Sequence, residues 1–197
     1  MLKRDILLRP SAAAIAVIVM TYGVMYYRAH RAMVAARQYV SDVSRLQIGM
    51  SGSREFDEIR NKYKRFVDIE PNCKQDDCSV GFRFDNGLPI GASFVRPAVL
   101  YSGLTLSHGT IASSVIRSSC YGKNGGEFIT VMWESLPNAT HGVPFREGRT
   151  MSSADTVAGM SFNLTPAASW EQKAQAYAFH TSFLGRFAAC NDATEMH

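Results

Sequence analysis

The sequence predicts an α+β protein in which an amino-terminal transmembrane helix continues into a stalk helix and then into one domain. Three patterns indicate this order. An uncharged apolar run covers residues 11–27, helical spacing of apolar residues covers 28–48, and alternation with a period of two begins at residue 79. Because strands follow one another without crossover helices between them, we expect an antiparallel sheet of four or five strands packed by helices.

The apolar run at residues 11–27 is the segment that water would solvate worst. Its seventeen residues span about 25 Å as a helix, and the hydrocarbon core of a bilayer is about 30 Å thick. Residues 6–8 can extend it, and basic side chains flank it on both sides, as is typical of a membrane-spanning helix. These are Lys3, Arg4 and Arg9 before the run, and Arg28, His30 and Arg31 after it.

A cleaved signal peptide is the main alternative for this segment, and a buried helix of a soluble protein is another. The basic start and the apolar core at 12–20 suit a signal peptide. The nearest small-x-small pattern, at Val34, Ala35 and Ala36, lies far beyond that core. We therefore predict an uncut signal-anchor, with residues 1–27 forming a short cytoplasmic tail and a single membrane span.

The distribution of charge indicates a lipid partner and argues against nucleic acid. The chain carries a net charge of +4. Residues 1–47 hold seven Lys/Arg and two Asp/Glu, whereas 48–197 hold fourteen and fifteen, so the two parts have net charges of +5 and −1. Basic residues beside a membrane are attracted to anionic lipid, while the main domain lacks a basic stripe. Membrane lipid contacting residues 11–27 is therefore a predicted partner.

Four cysteines, all beyond the apolar run, predict two disulfides in an oxidising compartment. They are Cys73, Cys78, Cys120 and Cys190. Three pairings are possible, and we favour a local Cys73–Cys78 bond with a long-range Cys120–Cys190 bond. Four separate buried thiols are the alternative. Disulfides would place the carboxyl-terminal domain outside the cytoplasm, in the periplasm if the cell is bacterial, with the amino terminus in the cytoplasm.

Residues 28–48 are predicted to form a juxtamembrane stalk helix. This segment has no Gly or Pro before Gly49, and Met33, Ala36, Val40 and Val43 recur at helical spacing. The apolar stripe is compatible with a short coiled coil or with a helix packed against its own domain. Residues 49–197 would then form the extracytoplasmic α+β domain.

Within that domain the sequence predicts two helices and five strands. A helix begins near Ser53 as its N-cap and presents Phe56, Ile59, Tyr63 and Phe66 on one face. Residues 136–158, rich in Gly, Pro, Ser and Thr, are predicted to be a long loop, and 167–189 to be a single helix. The predicted strands cover 79–84, 98–106, 111–119, 128–134 and 160–164.

Few residues suggest catalysis. Cys120, His141 and Asn163 follow the order of a thiol hydrolase, which needs a thiolate beside an oriented imidazole. His180 lies on the apolar side of the predicted last helix and is expected to be a hydrogen-bonded core histidine. His108 is predicted to lie at a hairpin tip. No metal ligands, cofactor-binding residues or catalytic residues are predicted.

These observations favour a non-enzymatic, membrane-anchored protein whose outer domain binds another envelope protein or a surface ligand. The loop at 136–158 and an exposed sheet edge are the expected binding elements. A thiol hydrolase using Cys120 is one alternative. A subunit of a pilus-like filament is another, although the processing glycine and the acidic residue within the apolar helix are both missing.

Overall fold

A seven-stranded sheet with helices on one of its faces forms the body of the protein. The computed structural model describes residues 3–74, 77–86, 98–122, 127–136, 145–151, 157–185 and 190–197. The helices are α1 (Lys3–Val43), α2 (Ser53–Lys62) and α3 (Trp170–Ala176), with 3-10 helices at Lys64–Phe66, Thr181–Gly185 and Ala193–Met196. The strands are β1 (Val67–Lys74), β2 (Asp77–Asp85), β3 (Val99–Ser107), β4 (Thr110–Tyr121), β5 (Glu127–Ser135), β6 (Phe145–Met151) and β7 (Val157–Leu164).

The α+β class is confirmed, but the sheet is larger than predicted and is mixed. Its strand order is β1-β2-β3-β4-β5-β7-β6. All neighbouring strands are antiparallel except β5 and β7, which run parallel. Strand β7 lies between β5 and β6 and is antiparallel to β6. The prediction of four or five antiparallel strands is therefore wrong in strand number and in one pairing.

Both strands that the sequence analysis missed lie at the edges of the sheet. Strand β1 contains Pro71, which an edge strand tolerates because one side of its backbone has no strand partner. Strand β6 lies inside the segment 136–158 that was predicted to be a loop, and its sequence carries charges and Gly148 in place of apolar alternation. Pairing with β7 makes it a strand. The remainder of that segment, apart from Leu136 and the first residues of β7, lies outside the described residues.

Helix α1 is one continuous helix of 41 residues, and only its carboxyl-terminal half packs on the sheet. Tyr39 is fully buried there, with its ring 5.0 Å from Phe82 and 5.1 Å from Phe84 between centroids. The buried residues before it are mostly alanines, which let the helix backbone approach the sheet closely. The buried stripe comprises Ala29, Ala32, Ala36, Tyr39, Val40 and Val43. Of the two interpretations of residues 28–48, packing against the same chain's domain describes this structure.

Two helix boundaries differ from prediction. Gly52, not Ser53, is the N-cap of α2, and the Glu55 carboxylate accepts a hydrogen bond from the Gly52 N–H at 3.0 Å. The predicted helix at 167–189 ends at Ala176, because the chain then turns back and buries Phe183 and Leu184 beside α1. Such a return cannot be made by a straight helix.

Candidate functional site

The amino-terminal half of α1 exposes large apolar side chains. Their exposed fractions lie between 55% and 70%, which is unusual for a packed helix. They are Ile15, Val17, Ile18, Val19, Met20, Tyr22, Val24, Tyr26 and Tyr27. In the described part of the chain, no helix is both long enough and apolar enough to cross a bilayer. A contiguous apolar surface of this kind marks a region that another apolar phase or molecule covers.

A cavity lined by arginines lies where α1 leaves this exposed stretch and enters the domain. Arg28 and Arg31, three residues apart on α1, share one side of the helix, and Arg65 approaches from the 3-10 helix Lys64–Phe66. Arg83 and Asp85 of β2 complete the polar part of the lining and form an ion pair at 3.0 Å. The cavity therefore holds more positive than negative charge.

The face of the sheet turned away from the helices is a second candidate surface. A cross-strand row on this face joins Ile69, Gly81, Gly103, Val115 and Trp133. The two glycines leave a shallow groove between the larger side chains, and this groove has Ile69 and Val115 in its lining. Ile69 is 64% exposed and Trp133 is 50% exposed. Exposed apolar side chains on a sheet face that no helix covers favour a binding function.

Strand β5 shows that the apolar side of a strand does not always face the core. Ile129, Val131 and Trp133 alternate as an apolar side, but that side points away from the core. The core side of β5 carries Met132 and Glu134 instead. Binary pattern alone therefore favours the wrong face of β5, and the partner strands decide the choice.

Glu134 lies on the core side and is 1% exposed. Its carboxylate accepts hydrogen bonds from the ammonium of Lys173 at 2.5 Å and from the hydroxyl of Tyr177 at 2.7 Å. Both donors belong to α3 or its C-cap, so this cluster attaches the last helix to the sheet. The three residues combine an acid, a base and a phenol, yet Glu134 is sealed from solvent. Its geometry suits a structural role.

The cysteines form the two bonds that the sequence favoured. Cys73 pairs with Cys78 across β1 and β2, and Cys120 pairs with Cys190 across a sequence separation of 70 residues. A sulfur held in a disulfide is not a nucleophile, so Cys120 lacks the thiolate that a thiol hydrolase requires. Asn163 lies in β7, and His141 lies outside the described residues.

The histidine predictions had mixed outcomes. His108 lies at the tip of the β3–β4 hairpin with a φ of 51°, and Gly109 follows with a φ of 76°, so that prediction is confirmed. His180 is exposed, beyond the end of α3, so the prediction of a core histidine is wrong. The helical projection failed there because the helix ends four residues earlier.

Asp77, beside the first disulfide, stabilises the β3–β4 hairpin. The Asp77 carboxylate accepts hydrogen bonds from Ser107 Oγ and from the His108 N–H, both at 2.9 Å. These hydrogen bonds lower the pKa of Asp77 below its ordinary value. No group of three or more potential metal ligands occurs among the described residues.

Comparison of the chain with models of known protein families, with curated proteins and with solved structures gave no match. Two features of the geometry described above leave no pattern in the sequence: the arginine cavity and the Glu134 cluster. The arginines of α1 form only a flanking charge in the sequence, and Glu134 carries no signal because its partner Lys173 is 39 residues away.

Three buried tyrosines, Tyr39, Tyr63 and Tyr177, predict a loss of stability at alkaline pH. Burial raises the pKa of Tyr39, despite its hydrogen bond with Ser102. Burial and a neighbouring carboxylate raise the pKa of Tyr63, beside Asp42, and of Tyr177, beside Glu134. Because all three pKa values are raised in the folded state, their contribution is complete below pH 10, the ordinary value, and is lost as pH rises above it.

We expect the free energy of unfolding to fall above pH 10 with a slope approaching about 1.4 kcal/mol per pH unit for each tyrosine. Urea titrations of the chain at a series of alkaline pH values would measure this slope. Tyr39→Phe should make it shallower by about one third. An unchanged slope in that variant would contradict the assignment.

Proposed function

We propose that this chain is a single-pass membrane protein that presents a non-enzymatic binding domain on the extracytoplasmic side. The observation that carries the proposal is the division of α1 into two stretches. Residues 13–27 expose apolar side chains, and one side of residues 29–43 is buried against the domain. One rigid helix thus joins a surface that needs an apolar environment directly to the core of the domain.

The cysteines support the proposed side of the membrane. Both disulfides lie in the domain and neither lies in the apolar part of α1. Disulfides persist in oxidising compartments, such as the periplasm or a secretory lumen. The amino terminus would then lie in the cytoplasm.

Membrane insertion and orientation can be tested together in intact cells. The full chain should stay in the membrane fraction after carbonate extraction, whereas a variant lacking residues 2–27 should be released. A membrane-impermeant maleimide should label Ala174→Cys, on the exposed side of α3, without permeabilisation. It should label Lys3→Cys only after permeabilisation. Release of the full chain by carbonate, or the reverse labelling pattern, would exclude the proposal.

The open face of the sheet is the proposed partner-binding surface, because Ile69 and Trp133 remain exposed on it while the opposite face is covered. Aromatic side chains in such positions often dominate binding energy. A photo-crosslinking amino acid at position 133 should capture a discrete protein or surface ligand. The matched control is position 170, where another tryptophan is 75% exposed on α3. Equal capture at both positions would argue against a specific surface.

A subunit of a pilus-like filament is the second candidate. It is favoured by the continuous helix of 41 residues that projects from a sheet domain. In a filament the exposed apolar half of α1 would pack against the same segment of other copies. The size of the detergent-purified chain separates the two: a monomer supports the anchor, and a large uniform assembly supports the filament.

A further inference from the structure

We infer that the arginine cavity at the exit of α1 binds the phosphate of an anionic phospholipid headgroup. This inference rests on the proposed function, because it requires the apolar half of α1 to lie in a bilayer. It adds a specific ligand site to a helix that would otherwise contact lipid without selectivity.

The charge of the cavity is the first argument. Among the described residues, no salt bridge involves Arg28, Arg31 or Arg65, whereas Arg83 is neutralised by Asp85 at 3.0 Å. Three guanidinium groups around one cavity repel one another unless an anion lies between them. Guanidinium presents paired N–H donors whose geometry matches the oxygens of a phosphate. The cavity therefore has the chemistry of a phosphate site.

The position of the cavity along α1 is the second argument. Tyr26 and Tyr27 are the last exposed aromatic residues of the apolar stretch, and aromatic rings concentrate at the level of lipid headgroups. Arg28 follows directly, and Arg31 lies about 4.5 Å further along the helix axis. The Arg31 guanidinium is 5.7 Å from the centre of the Tyr27 ring, which draws it towards the same level. The basic groups therefore coincide with the depth of the lipid phosphate.

The apolar surface next to the cavity selects a lipid over a free anion. Val24 and Tyr27 are exposed on the helix just before the cavity, and Phe66 contributes apolar surface to its wall. A phospholipid with its phosphate at the arginines can lay its acyl chains along α1 and cover these residues. Inorganic phosphate would leave them uncovered.

The test compares two double variants of the full chain that remove the same charge. Arg31→Gln with Arg65→Gln removes two arginines of the cavity. Arg37→Gln with Arg45→Gln removes two exposed arginines elsewhere, one further along α1 and one just beyond its carboxyl end. Binding of fluorescent phosphatidylglycerol to the detergent-solubilised chain gives the affinity.

We expect the cavity variant to bind phosphatidylglycerol about 25-fold more weakly, at about fivefold for each arginine lost beside an anionic headgroup. The control variant should change by less than about twofold, since neither of its arginines lines the cavity. Equal weakening in both variants would overturn the inference, as would equally tight binding of phosphatidylcholine. Displacement of the lipid by inorganic phosphate at comparable concentration would show a free anion site instead.

Flotation of the unmodified chain with liposomes tests the anchor separately. A chain that does not float contradicts the proposed membrane insertion. A chain that floats, but whose two double variants bind phosphatidylglycerol equally, contradicts only the headgroup site.

Discussion

Replacing Lys173 with methionine should lower the free energy of unfolding by about 3 kcal/mol at neutral pH. The variant leaves the Glu134 carboxylate 1% exposed and without its cationic partner, which now lies 2.5 Å away. A buried charge that loses its partner retains its desolvation cost, and the hydrogen bond from Tyr177 compensates only part of it. Methionine keeps the length of the side chain, so packing of α3 is little changed.

A double variant separates the charge from the packing. Glu134→Gln together with Lys173→Met removes both charges and keeps an oxygen that can accept from Tyr177. It should cost about 1 kcal/mol, less than the single lysine variant. Arg54→Met, which breaks the exposed Arg54–Glu58 pair, should have no measurable effect. Equal losses in the single and double variants would show that Glu134 does not depend on Lys173. Urea unfolding followed by circular dichroism provides the measurement.

Removing the Cys120–Cys190 disulfide should be the other large loss, at about 4 kcal/mol. The bond joins residues separated by 70 positions and fastens the segment after 3-10 helix Thr181–Gly185 to β4. Without it the unfolded chain regains the entropy of an open loop of that length. The Cys190 N–H also donates to the Tyr121 carbonyl at 3.0 Å, a contact that the disulfide keeps in place.

The second disulfide is the internal control. Cys73→Ala with Cys78→Ala opens a loop with a sequence separation of only five, so its expected cost is about 2 kcal/mol. Cys120→Ala with Cys190→Ala should therefore lower the urea midpoint about twice as far. A larger effect from the Cys73–Cys78 pair would mean that the local bond, at the edge of the sheet, determines stability.

The predicted helices and strands were most accurate where one periodicity dominates a segment. Phe56, Ile59 and Tyr63 are buried as the helical spacing in α2 indicated. The strands β2, β3 and β4 follow the predicted alternation. The turn between β3 and β4 lies at His108, as predicted. In these segments local preference and tertiary packing agree.

Periodicity could not predict the edge strands, nor which side of a strand faces the core. Strand β6 lies in a polar segment and depends on hydrogen bonds with β7. The side of β5 that carries Trp133 looks like a core face in the sequence and is half exposed in the fold. Each of these outcomes depends on which strands lie next to one another, and pairs distant in sequence leave no local pattern.

The candidate sites also divide into features that the sequence predicts and features that require the fold. Residues 11–27, with basic residues on both sides, and four cysteines beyond them are sufficient to propose an anchor and an oxidised domain. The convergence of Arg65 on Arg28 and Arg31 requires α1 to pack on the sheet beside the 3-10 helix Lys64–Phe66.

From the sequence alone came the apolar helix, the expectation of two disulfides beyond it and the α+β class, because each follows from residue type, number and local spacing. The tertiary structure alone decided the seven-strand order, the open face with Trp133, the buried Glu134 cluster and the arginine cavity. These features join residues that lie far apart along the chain, and the free energy of packing and desolvation that selects them exists only once the chain has folded.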